Sequence, residues 1–228
     1  MLTSRRTPAT AATLAFLLVA VIALAQQPGV HPISGRRYAG VMGYQGADWL
    51  DREERDIEEA PDAAIAALDL KPGMTIADIG AGSGYMTVRM ARIVGPTGKV
   101  YAEDIQPQMI QLLQRRLDGE KVRNVVPVLG TIDDPKLPPD SIDLMLLVDV
   151  YHEFSEPVKM LAGMRAALKS GGRLVLLEYR KEDPTVPIRL EHKMTVAEAK
   201  MEVEAAGFSL TRVDGRLPRQ HILIFTKP

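Results

Sequence analysis

Three glycines at alternate positions, set behind a short apolar run and an acid, constrain this chain more than any other feature. The stretch is Thr75-Ile76-Ala77-Asp78-Ile79-Gly80-Ala81-Gly82-Ser83-Gly84-Tyr85. Ile76 to Ile79 predicts a buried strand, because a short apolar run beside glycine punctuation suits a parallel sheet. Glycines at 80, 82 and 84 let the backbone turn sharply and approach a ligand with no Cβ in the way. Tyr85 to Val94 then predicts a helix, stopped by Gly95-Pro96. Such a strand–turn–helix aims free backbone N–H groups at whatever sits above the sheet edge. Asp104 lies twenty residues past Gly84, at the end of a second predicted strand, Lys99 to Asp104. A carboxylate there accepts hydrogen bonds from the hydroxyls of a ribose, so the expected ligand is a nucleoside cofactor. The dinucleotide fingerprint G-x-G-x-x-G fails at Tyr85, which disfavours a nicotinamide-dependent oxidoreductase.

The rest of the chain repeats the same alternation. Helices are expected from Pro61 to about Leu68, Gln108 to Leu117, Pro157 to Leu168 and Thr195 to Ala206, the last with Thr195 and Glu198 as a capping box. Strands are expected over Val125 to Leu129, Ile142 to Val148, Arg173 to Glu178, Phe208 to Val213 and His221 to Thr226. Lys169-Ser170-Gly171-Gly172 reads as a helix terminator. Alternating strands and helices make right-handed βαβ units and a parallel sheet. The link from Val213 to His221 is too short for a helical crossover, so the final pair is expected to be antiparallel. Upstream, Asp48 is expected to cap a helix near Trp49. The run Asp51-Arg52-Glu53-Glu54-Arg55-Asp56 reads as a solvated face with an Asp51–Arg55 pair.

Several function classes are excluded or disfavoured by composition. A net charge of −1 argues against nucleic acid as the main partner. The absence of Cys removes disulfides, thiolate nucleophiles and Cys-ligated metals. At the N-terminus, Arg5-Arg6, the apolar run Ala11 to Ala25 and Ala23-Leu24-Ala25 have the three-part layout of a secretory signal peptide over residues 1–25. An uncleaved anchor is the alternative, although the run is short for a membrane span, and no stable span is expected after cleavage. The expected location is extracytoplasmic, with a cytoplasmic or membrane-anchored protein as the alternative. Residues 26–50 read as an arm that carries Tyr38, Met42, Tyr44 and Trp49. It is either packed loosely or a lid over a substrate pocket. The remaining domain is expected over 51–228.

The set Asp78-x-Gly80-x-Gly82-x-Gly84 resembles motif I of the class I S-adenosylmethionine-dependent methyltransferases. Residues from about 70 to 180 resemble the small-molecule type, similar to quinone-biosynthesis methyltransferases. The matching stretches are Lys71-Pro72-Gly73, Val100 to Pro107, Leu137-Pro138 with Ser141-Ile142-Asp143-Leu144, and Leu168 to Leu174. The resemblance implies a Rossmann-like α/β fold, a mostly parallel seven-stranded sheet with an antiparallel last strand and helices on both faces. It implies S-adenosylmethionine as cofactor and a small-molecule substrate. Gly80, Ala81, Gly82 and Gly84 would form the turn that holds the cofactor's methionine part, and Asp78 would fix that turn and the cofactor's amino group, directly or through water. Asp104 would bind the ribose, with Glu103 as the alternative, since adjacent strand residues face opposite ways. Ile105 would pack on the adenine, Asp133 would take its amino group, and Asp149 would lie near the transferred methyl.

Methyl transfer from a sulfonium needs alignment first, and a base only where the nucleophile starts protonated. The candidates beyond the fourth strand are Tyr151 and His152, with His192 in a later connection. His152 capping or packing on the next helix is the competing reading. His152, Glu153, Glu178 and His192 lack a short ligand spacing such as H-x-x-x-H, so no metal is expected. The rival to an enzyme is an exported, catalytically silent binding module on the same fold. The oligomeric state is not readable from the sequence.

Overall fold

The computed structural model describes residues 29–228. The expected signal, residues 1–25, lies outside the described residues. Seven strands form one sheet: β1 (Thr75–Ile79), β2 (Lys99–Asp104), β3 (Val125–Leu129), β4 (Ile142–Val148), β5 (Leu168–Tyr179), β6 (Ser209–Asp214) and β7 (Gln220–Thr226). Their order is β3-β2-β1-β4-β5-β7-β6. β1 pairs in parallel with β2 and β4, and β4 with β5, while β7 runs antiparallel to both β5 and β6. The expected single reversal at the end of the sheet is therefore present.

Among the described residues, seven α-helices accompany the strands: α1 (Ala47–Leu50), α2 (Arg55–Glu59), α3 (Pro61–Ala67), α4 (Tyr85–Val94), α5 (Pro107–Gly119), α6 (Pro157–Ala167) and α7 (Val196–Ala205). The apolar run of β4 divides by parity between two cores. Met145 and Leu147 pack with Met160 and Met164 of α6 and Val203 of α7. Leu144 and Leu146 pack with Ile65 of α3 and Met90 of α4. All four β4 residues are fully buried, which is why the run shows no polar alternation. The capping box forms as read, with Thr195 Oγ1 accepting from the Glu198 N–H at 3.0 Å. Among the described residues, no helix is long and apolar enough to cross a membrane.

Three local expectations are corrected. Lys169 to Gly172 do not end the sequence's helical part in a loop; they begin β5. The Gly171 N–H donates to the Lys227 carbonyl at 2.9 Å and Lys227 returns the bond to Gly172, so backbone pairing overrides the glycine signal. Asp48 is not a cap: it lies inside α1, whose N-cap is Gly46 with no side-chain bond. Asp51 pairs with Arg116 of α5 rather than with Arg55. Arg55 turns inward onto Glu59 instead, at 2.7 Å.

Candidate functional site

The carboxyl ends of β1, β2 and β4 and the end of β5 open into one cavity of about 710 Å³, a volume typical of small-ligand sites. Gly80 and Gly82 line it at the turn after β1. Both have positive φ, 67° and 54°, and a Cβ on Gly80 would stand 2.6 Å from Val150. Asp78 does not reach the cavity. Its carboxylate accepts from Thr87 Oγ1 at 2.6 Å, tying β1 to α4, and burial pushes it up to about 6. Asp78 therefore supports the turn from behind. Ala81 and Gly84 also stand outside the cavity wall. Gly84 is needed for packing, since a Cβ there would meet Leu113 at 2.5 Å.

Asp104 lines the cavity as expected, with Ile105 beside it. Its two oxygens accept from the Gly82 N–H at 3.0 Å and the Gln106 N–H at 2.8 Å. Each oxygen keeps a second lone pair for a ligand hydroxyl. Glu103 lines the same cavity, contrary to the expectation that only one of the adjacent acids can. Its longer side chain curls up from the strand to the Gly80 N–H at 3.4 Å. Gly130 leaves the room, since a Cβ there would fall 1.9 Å from Glu103 Oε1. Asp133 is displaced from the role expected for it: it accepts from Thr131 Oγ1 at 2.8 Å in the solvent-facing loop, while Thr131 and Ile132 line the wall.

Glu103 Oε1 is buried without a hydrogen-bond partner. Burial, then the neighbouring Asp104, pushes its carboxyl up to about 8. The sign of the pH dependence follows from that direction. The stability gained by the protonated carboxyl is complete below the ordinary value near 4.5 and is lost as pH rises to about 8. Glu103→Gln stays neutral and avoids that loss. The variant's melting temperature is expected to match wild type at pH 5 and to exceed it by roughly 5 °C at pH 9, measured by scanning calorimetry. A constant difference across this range would show that Glu103 carries no such proton.

The cofactor fit can be judged from this donor set. Two buried acids stand at the glycine turn, and among the described residues neither makes an ion pair. That surface suits a ribose joined to a cationic group. It suits a pyrophosphate poorly, since its charge would meet the acids of the glycine turn, and the cavity's Arg52 and Arg55 are already paired with Glu58 and Glu59.

The other end of the cavity is built on the turn after β4. Asp149 has a φ of 53°, uncommon for a residue with a Cβ. One of its oxygens accepts from Gln220 Nε2 at 2.6 Å and the other has no partner. Burial, then Glu59 and Glu178, raises its carboxyl well above the ordinary range. His152 follows on a short helical turn, Tyr151–Glu153. Its Nδ1 meets Glu178 Oε2 at 2.6 Å, and its Nε2 meets His192 Nδ1 at 3.1 Å. His192 comes from the turn Leu190–His192, forty residues away in sequence. Burial and then His152 hold the His192 imidazole below its ordinary value. Glu153 accepts from the Met42 N–H at 3.3 Å, and burial pushes it up to about 7.

Tyr151 is not part of this site. It is fully buried on the far side of the turn, with its hydroxyl 3.5 Å from His31 Nε2 and the Arg36 guanidinium over its ring. Alternation about the turn sends Tyr151 into the core and His152 into the cavity. The cavity also includes Arg52 and Arg55, which the charge run suggests for solvent, and Glu59, which lies beyond that run. Glu59 gathers Arg52 at 2.7 Å, Arg55 at 2.7 Å and the Tyr179 hydroxyl at 3.0 Å. The signal that could have found them is the Arg55–Glu59 spacing of four, directly before the apolar helix that opens at Pro61.

The arm closes the roof with Gly40, Val41, Met42, Trp49 and Leu50. It is pinned at both ends of the cavity. Gln106 holds the Met42 carbonyl at 2.9 Å and the Tyr44 N–H at 2.9 Å, beside Asp104. The Ala39 N–H and Arg36 both donate to the His152 carbonyl, at 3.1 and 2.9 Å.

Residues 70–213, more than half of the chain, match the family described as a methyltransferase domain. Over 112 residues the chain is 34% identical to the ubiquinone/menaquinone biosynthesis C-methyltransferase UbiE of Vibrio parahaemolyticus, a match covering 49% of this chain and 43% of that protein. It is 32% identical over 111 residues to a protein-L-isoaspartate O-methyltransferase of Methanothrix thermoacetophila, covering 48% of this chain and 49% of that one. The chain thus spans about half the length of these curated relatives. A solved SAM-dependent methyltransferase from Aquifex aeolicus shares the fold, with a TM-score of 0.78 at 24% identity, covering 82% of this chain and 100% of the other.

Proposed function

This chain belongs to the class I S-adenosylmethionine-dependent methyltransferase family, and from that premise we propose that it methylates a small-molecule acceptor held in the cavity beneath its arm. The observation that carries the reading is the joining of two ends in one space. The acids of the glycine turn and the His152–His192 pair line the same cavity. S-adenosylmethionine, when bound, supplies a methyl group on a sulfonium, which leaves as a neutral thioether.

Gly80, Gly82, Asp104 and Ile105 would hold that cofactor. The Gly82 and Gln106 amides keep Asp104 in place to accept from a diol. The acceptor's nucleophilic atom belongs at the other end, where Glu178 orients His152 and His192 completes the pair. Activation of a protonated nucleophile is their task. Val41, Met42, Leu50 and Ile188 give the cavity apolar walls that exclude water and suit a small, largely apolar acceptor. One relative's name places it in ubiquinone and menaquinone biosynthesis and the other's on protein L-isoaspartate, so the acceptor is inferred from the cavity and not from likeness. The net charge of −1 supports a small molecule over a nucleic acid.

The test is calorimetric binding of S-adenosylmethionine against nicotinamide cofactors, followed by labelled-methyl transfer to a panel of phenols, quinols, thiols and amines. Binding of the sulfonium cofactor is expected to weaken about 30-fold in Asp104→Ala, the loss of a charge-assisted hydrogen bond. No binding to the intact protein would end this reading, and binding without turnover on any acceptor would favour a silent module. Export is a separate part of the proposal, resting on the layout of residues 1–25, and detection of the protein only in the cytosol after cell fractionation would remove it.

A further inference from the structure

We propose that His152, His192 and Glu153 bind a divalent transition-metal ion of the zinc class, and that the acceptor carries a hydroxyl or thiol that completes its coordination. The inference deepens the methyl-transfer reading, and it rests on that reading for the acceptor but not for the ion.

The ligand atoms of these three side chains lie within 4.8 Å of one another. His152 Nε2 and His192 Nδ1 are 3.1 Å apart. Two imidazole nitrogens on one ion, each about 2.05 Å from it, stand roughly 2.9 Å apart at a right angle and 3.4 Å apart at a tetrahedral one. The observed separation falls between these limits. Glu153 Oε1 stands 4.0 Å from His192 Nδ1. Both side chains are half-buried at the cavity wall, so a small rotation of the carboxylate closes the third position.

The tautomers also agree. Glu178 Oε2 lies 2.6 Å from His152 Nδ1, and a carboxylate only accepts. The hydrogen of His152 is thereby placed on Nδ1, and its Nε2 lone pair is left facing His192 and the cavity. A carboxylate behind a ligating imidazole is the usual support of a histidine–metal bond. Glu178 is fully buried and its Oε1 has no partner, so the charge it brings lacks a full set of donors. A cation two atoms beyond, through the ring, offsets that charge.

Two histidines and one carboxylate are the protein donors of catalytic zinc sites and leave positions open for a ligand. The open side here is the cavity, because the other side is closed by Glu178 and the β5 backbone. A hydroxyl or thiol bound there faces the cavity that the glycine turn also lines and is acidified by the ion. The sequence spacing conceals this set, because His192 is brought in by a separate turn.

The test uses the protein purified without a polyhistidine tag and stripped by chelator. It is titrated with Zn²⁺ by calorimetry and with Co²⁺ by visible absorption. One ion per chain is expected. His192→Ala and Glu153→Gln are each expected to weaken affinity at least tenfold, and Glu178→Gln by about 10- to 100-fold, with circular dichroism showing the fold retained. Absence of saturable binding to the wild type, or equal affinity in folded His192→Ala and Glu153→Gln, would overturn the proposal. The titration contains neither cofactor nor acceptor. Its failure leaves methyl transfer standing, and one-to-one ion binding in a protein that binds no S-adenosylmethionine supports the site while removing the methyl-transfer reading.

Discussion

His152→Ala is expected to lower the rate of methyl transfer about a thousandfold while leaving cofactor affinity within about twofold. The figure corresponds to about 4 kcal/mol of transition-state stabilisation, in the range found when a positioned activating group is removed. His152 contacts both Glu178 behind it and His192 beside it. Its loss leaves Glu178 with no partner for either oxygen and leaves His192 alone. The cofactor end is untouched, because Asp104 is held by backbone amides and not by the imidazole. The measurement is single-turnover methyl transfer with saturating cofactor, beside a calorimetric Kd. A variant retaining more than a tenth of the wild-type rate would remove His152 from acceptor activation.

Arg36→Ala is expected to destabilise the protein by about 3–5 kcal/mol, the usual result of stripping one partner from a buried ion pair. Arg36 and Glu202 are both buried, and two bonds join them, at 3.1 and 3.0 Å. Ser34 and His31 also reach Glu202, so the acid is not wholly abandoned, but both are neutral or weakly charged partners. The same guanidinium donates to the His152 carbonyl at 2.9 Å. Thermal unfolding should therefore show a fall of roughly 10 °C, and turnover should fall with it as the turn carrying His152 loosens. A fall of less than 2 °C would mean that the arm adds little to the fold.

These two residues also show what could be read from the chain alone. His152 was legible because it follows an apolar strand, and in parallel sheets the chemistry collects past such ends. The strands and helices from Thr75 to Thr226 were legible from their own periodicity and stop signals, except at Lys169–Gly172, where backbone pairing into β5 overrides the glycine signal. Arg36 was not, because its partner Glu202 lies 166 residues away, and no local pattern announces a contact of that span. Glu103 was misjudged by a rule about strand faces that holds for Cβ direction and fails for a side chain long enough to curl back over Gly130. Tyr151 stands near the strand end like His152, yet a 3₁₀ turn there points neighbouring residues to different sides. Arg55 belongs to a charge run that reads as solvent-facing, and only the folded chain shows that it pairs inside with Glu59.

The arm meets Gln106, beside Asp104, and Glu153, beside His152, through the one residue Met42, and this has a consequence for binding. On the proposed reading, a single strip of backbone then roofs both the cofactor and the acceptor. Any displacement of it that admits one of them alters the walls met by the other. Their affinities are then linked, and by thermodynamic necessity the factor by which the first changes the second equals the factor by which the second changes the first.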